Sequence, residues 1–361
     1  MSYGVTISDE VSSQKSKKYI NIIKNIKRIV AKHGLDDDEW AQAISSQYFL
    51  LCLAKQLNWS KKDYANLLNK CLSSFSVTYT GDYVIDNEKL LVTPDETNKI
   101  VACMQEEDKT DDYYTHSAKM QAKKIDAEQM YMNFHYGLLV RIVSSEDTNV
   151  LCAIKHKCLE RLMDDDAIDT SDGWYPYRVP WITARILISL KAIDYKTYSE
   201  AQKIESIIES AITSLYQRID EKGAYWRSGV GKWVSKWEST GLCLESLYVW
   251  DAIEEHEADI KRIINYVCSE ESRSEWLTHQ VSFATEEAAN NTLSGVILAS
   301  VILRITRKYF NEIYSELQDS IVNLFDNVTN IINKQDFGKA RQYCTIPQIL
   351  HYILTALEDE T

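Results

Sequence analysis

Trp181-Ile-Thr183-Ala-Arg185-Ile-Leu187-Ile-Ser-Leu190 and Trp237-Glu238-Ser-Thr240-Gly-Leu242-Cys-Leu244-Glu-Ser-Leu247 are two versions of one unit. In each, a Trp and a Thr precede leucines at helical spacing. Each also follows a loop of glycine and aromatic residues: Asp172-Gly173-Trp174-Tyr175-Pro176-Tyr177 before the first, Lys222-Gly223-Ala224-Tyr225-Trp226 before the second. Looser copies follow, with Thr292 before Gly295 to Leu303 and Thr345 before Ile349 to Leu357. The four threonines stand 57, 52 and 53 residues apart, and a period of that length signals stacked supersecondary units. Thr183, Thr240, Thr292 and Thr345 are therefore expected at equivalent positions near the starts of successive helices.

Working outward, longer amphipathic segments lie between these apolar ones. Residues 198–219 carry Ile204, Ile207, Ile208, Ala211, Ile212 and Leu215 on one stripe, and residues 260–267 and 310–332 repeat the pattern. Apolar inner helices are thus expected near 40–57, 127–143, 181–193, 239–253, 286–304 and 345–357. Outer partners are expected at 19–31, 61–74 and 150–162 as well. The fold this predicts is all-α: a single domain over 1–361, an (α/α)6 toroid of about six helical hairpins. Residues 76–126 read as an insertion between the second and third helical layers. Its β-branched runs around Gly81-Asp82 and Asp86-Asn87 suggest a small β-hairpin or loop near 76–93.

Composition narrows the partners. The chain carries a net charge of −13, with 45% apolar residues, 11 Gly and 4 Pro. That is too little turn punctuation for an all-β protein and too apolar for a disordered one. The acidic balance argues against nucleic acid, whose phosphates require a concentrated basic footprint. No leader with an apolar core is visible in residues 1–18. The apolar run Leu293 to Leu303 falls short of the roughly 18–20 residues of a membrane span, so no transmembrane segment is expected. The eight cysteines include no Cys-x-x-Cys pair and mostly sit among aliphatic residues, which fits a soluble, cytoplasmic protein without a disulfide framework.

The glycine–aromatic loop followed by Trp, Thr and an apolar helix resembles the repeat of the α/α-toroid proteins, the protonating terpene and squalene cyclases and the protein prenyltransferase β subunits. The resemblance covers about residues 170–255, is looser to 357 and is only architectural before 150. It implies a ring-shaped scaffold but brings none of the group's usual catalytic motifs. The cyclases' Asp-x-Asp-Asp is reduced here to Asp164-Asp165-Asp166 after Met163. The prenyltransferases' Asp-x-Cys zinc pair is missing, and no Cys is followed by His, as lanthipeptide cyclases require.

Several residues remain candidates for chemistry. Asp165, Asp166 and Asp169 fit the Asp-Asp-x-x-Asp pattern with which ionising terpene synthases hold Mg²⁺ and diphosphate, because on a helix Asp165 and Asp169 would share a face. Acid–base work on a sugar needs two facing carboxylates. Asp172, Glu238 and Glu286 stand at helix starts, and His279 lies in the loop before the fifth inner helix. Trp174, Tyr177, Trp181, Trp226 and Trp237, with Arg178 and Arg227 among them, suit an apolar chain, a cation or a sugar ring. They are expected to wall a ligand site, so that Trp226→Ala lowers affinity more than melting temperature.

Four functions follow as alternatives. The first is a ligand-binding toroid acting on an isoprenoid or other apolar substrate. The second is a carbohydrate-active hydrolase or epimerase. The third is a non-catalytic interaction subunit of a larger system, meeting a protein partner at the aromatic-loop end. The fourth is a Mg²⁺-dependent ionising synthase, the one reading that needs a cofactor. Whether the chain is an enzyme stays open at this level.

Overall fold

The computed structural model describes residues 7–33, 44–64, 66–67, 168–169, 173–174, 180–192, 195–197, 201–220, 223–226, 235–277, 281–334 and 346–358. These are mostly helical, as expected. The helices are α1 (Ile7–His33), α2 (Ile44–Gln56), α3 (Pro180–Ala192), α4 (Ala201–Gln217), α5 (Lys236–Val249), α6 (Glu257–Val267), α7 (Glu270–Trp276), α8 (Glu286–Tyr309), α9 (Asn311–Lys334) and α10 (Ile346–Glu358). Two-residue strands β1 (Ile168–Asp169) and β2 (Gly173–Trp174) pair antiparallel. The expected hairpin at 76–93, the rest of the 76–126 insertion and the helices expected at 127–143 and 150–162 lie outside the described residues. So does Thr345.

The described elements belong to two compact units, one joining Met1–Leu67 to Glu270–Thr361, the other running Leu68–Ser269. In the first unit, the apolar helices pack side by side: α10 lies against both α8 and α2. Their contacts include polar ties, with Ser300 Oγ donating to the Tyr352 carbonyl at 2.7 Å and Gln56 Nε2 donating to Thr355 Oγ1 at 3.1 Å. The amphipathic helices α1 and α9 pack on each other in the same way, and α9 also backs α8.

Sequence explains which helix takes which place. Helix α9 buries Leu317, Ile321, Leu324, Phe325, Val328 and Ile332 on one stripe, leaving its opposite face polar. Helix α10 is buried on nearly every side, as suits an inner helix. Helices α8 and α9 form a hairpin joined by Phe310 alone. The Phe310 N–H bonds to the Thr306 carbonyl at 2.8 Å, which satisfies one of the open carbonyls at the end of α8.

Helix α8 starts on Thr285, whose hydroxyl accepts the Ala288 N–H at 3.2 Å, and ends with Arg307 and Lys308 complementing the dipole. Its Glu287–Tyr309 segment is long and apolar enough to cross a membrane by length and composition, and 78% of its most apolar window is buried inside the protein. The expectation that the run was too short counted only Leu293 to Leu303; the flanking Ala, Thr and Ile residues lengthen it.

Gly295 sits where α7 meets α8: a Cβ there would lie 2.5 Å from the Trp276 carbonyl oxygen. That neighbour is backbone and cannot swing away. Gly295→Ala should therefore lower stability by about 1–3 kcal/mol through overpacking, readable as a lower midpoint in urea.

In the second unit, α3 packs against α5 and more lightly against α4. Helix α4 buries Ile204, Ile207, Ile208, Ala211, Ser214 and Leu215, close to the expected stripe; Ile212 is half-buried and Ser214 takes an inner place. Helix α6 buries Ile260, Ile263, Ile264 and Val267. Trp250, just past α5, donates its indole N–H to the Leu187 carbonyl at 2.8 Å, tying α5 to α3.

Candidate functional site

The repeat unit has a local physical basis. Thr240 lies near the start of α5 and is fully buried. Its hydroxyl donates to the Lys236 carbonyl at 2.7 Å and accepts the Trp226 N–H at 3.2 Å. Thr292 does the same near the start of α8: it donates to Ala288 O at 3.0 Å and accepts from the Ser282 N–H at 3.4 Å. Thr183 is buried in the first turns of α3. At Thr240 and Thr292 the hydroxyl fastens the preceding loop to the helix. Thr240→Val keeps the shape but leaves the buried Trp226 N–H without its acceptor. A loss of about 1–3 kcal/mol is expected, measured by thermal unfolding.

The aromatic loops are small hairpins. Trp226 forms an antiparallel bridge with Ile219, and β2 pairs Trp174 with Ile168. Asp220 shapes the second loop, accepting the Ala224 N–H at 2.6 Å on its side-chain oxygen. Gly223 turns the chain there with φ of +64°, a conformation open to glycine at little cost. Asp169 holds the corresponding place in the first loop, since Ile168-Asp169 matches Ile219-Asp220. Asp169 itself lies on strand β1 rather than on a helix. Asp165 and Asp166 lie outside the described residues. Among the described residues, no group of three or more His, Cys, Asp and Glu is placed to hold a metal ion.

Trp226 packs inside the protein. It is 0% exposed, and its indole N–H donates to the Leu215 carbonyl at 2.7 Å. Its polar tip is taken by the chain itself, and no face of it is open to solvent. Trp237 is also buried, whereas Trp181 is half-buried. Of Trp174 only the strand backbone is described. Tyr177, Arg178, Arg227, Asp172 and His279 lie outside the described residues, and Glu286 is placed as the first residue of α8, its side chain undescribed.

Glu238 is the candidate acid whose surroundings are clearest. Ser235 caps α5 by accepting the Glu238 N–H at 3.1 Å. The carboxylate itself meets Arg185 of α3 at 3.2 Å, with the two residues 6% and 5% exposed. The Arg185 guanidinium also lies 5.9 Å from the Trp181 ring centre. The candidate acid is thus engaged by a buried guanidinium of the neighbouring helix. Arg185 stands in the repeat unit itself, but its pairing with Glu238, 53 residues away, has no local signature.

Two more groups are set by burial. The Tyr216 phenol is pushed up by burial and by the nearby Asp259 and Glu255 charges. It donates to the Ala252 carbonyl at 2.9 Å and stacks on His256 at 3.6 Å. Burial likewise pushes the Cys243 thiol well up, which makes it an unreactive core residue. Comparison with family models, with curated proteins and with solved structures finds no match to this chain.

Proposed function

We propose that this chain is a non-catalytic binding subunit on an α/α-toroid scaffold, a cytoplasmic ring of helical hairpins that holds a partner and transforms no substrate. The observation that carries this reading is the buried Arg185–Glu238 pair, which neutralises the candidate acid. The complete burial of Trp226 points the same way, because an aromatic used for turn packing offers no face to a ligand. The toroid reading draws on the alternation of apolar and amphipathic helices and, within the first unit, on the packing of α10 against both α8 and α2. Cys243 packs in the core as a small apolar residue, which fits a reducing compartment. This favours the interaction subunit over the isoprenoid, sugar and Mg²⁺-dependent readings.

The test is recovery of the tagged full chain from its own cells, followed by native mass spectrometry. A stoichiometric complex heavier than the 41.6 kDa chain containing a second polypeptide is expected. Recovery of the chain alone, with a small organic molecule bound in equal amount, would favour the ligand-acting reading instead.

A further inference from the structure

Three rings from three elements meet beside one lysine. Tyr225 comes from the loop between α4 and α5, Trp237 from the first turn of α5 and Tyr266 from the end of α6. Tyr225 and Trp237 each stack on Tyr266, with ring centres 5.9 and 6.4 Å apart and planes 27° and 29° apart. The Lys236 ammonium stands 4.4 Å from the Trp237 ring centre and 5.7 Å from that of Tyr225. Trp237 is buried, but Tyr225, Lys236 and Tyr266 are half-buried and keep contact with solvent. The rings are held in advance. Arg262 of α6 donates from Nε to the Gly223 carbonyl at 3.1 Å, and Asp220 accepts the Tyr225 N–H at 3.3 Å, so the loop is fixed against the helix.

We infer that Tyr225 and Trp237, with Tyr266 stacked behind both, form an aromatic cage for a methylated ammonium group of a protein partner, and that Lys236 occupies this cage in cis. Ring faces attract cations through their quadrupole, and Trp does so best. A primary ammonium is compact and strongly hydrated, so it exchanges water for rings at a loss that a methylated ammonium largely avoids. The methylated group therefore competes well for the place that Lys236 holds. The net charge of −13 further draws a cationic segment towards the chain. This deepens the proposed binding role and rests on it for the source of the cation. The probe is accordingly a free small cation, so that failure of the cage and failure of the binding role are read apart.

The experiment titrates tetramethylammonium chloride into the full chain and into Lys236→Ala, against sodium chloride at equal ionic strength, following tryptophan fluorescence. Lys236→Ala is expected to show a saturable change with affinity about tenfold or more above that of the unmodified chain. Adding Tyr225→Leu, which removes a ring that faces the cation, should abolish it while circular dichroism stays unchanged. If the alanine variant does not fold, Lys236→Met serves, since it keeps the aliphatic stem. A folded variant that responds to tetramethylammonium no more than to sodium, or equally with Tyr225→Leu present, overturns the cage.

Discussion

Trp226→Ala is expected to destabilise the protein by about 3–5 kcal/mol, the range for truncating a buried large aromatic. Trp226 is 0% exposed, and three separate interactions depend on its position: the indole bond to Leu215 O, the backbone bond to Thr240 and the bridge to Ile219. Alanine keeps the backbone bonds but opens a cavity and leaves the Leu215 carbonyl short of a donor. The loss should appear as a lower urea midpoint, with partner or ligand affinity of the folded fraction unchanged. This reverses the ligand-wall expectation. A variant that melts like the parent but loses affinity would restore it.

Glu238→Ala should have an effect of similar size for a different reason. Removing the carboxylate breaks the Arg185–Glu238 pair at 5% exposure of the guanidinium residue, and breaking a buried pair from one side costs about 3–5 kcal/mol. Replacing both partners at once, as Arg185→Met with Glu238→Leu, removes both charges and should recover most of the loss. Urea unfolding of the two single variants and the double variant gives the coupling. A double variant as unstable as the sum of the two singles would mean that the pair does not act as a pair.

Much of the fold was legible because its signals are local. Aliphatic stripes in α4, α6 and α9 and the unbroken apolar runs of α5, α8 and α10 give their own periods, and Thr240 and Thr292 recur because each fastens a loop to its helix. What stayed illegible depends on distance or direction. Aromatic residues in a glycine loop suit a ligand face and a packed turn equally well by composition. Only burial separates Trp226 from Trp181. Asp169 read as a metal ligand because its spacing from Asp165 was measured on a helix; its match to Asp220, visible in the repeated Ile-Asp, points instead to a turn. Tyr266 was missed because a tyrosine on an amphipathic helix carries no sign of the rings it stacks against.

The binding role is tested most directly by product analysis. The unmodified chain is incubated with Mg²⁺ and, in turn, a prenyl diphosphate, squalene and an unsaturated uronic disaccharide, and products are sought by mass spectrometry. All substrates are expected to be recovered unchanged relative to a protein-free control. Sustained product formation that is lost in a folded Glu238→Gln variant would contradict the assignment of Glu238 to structure, and with it the non-catalytic role.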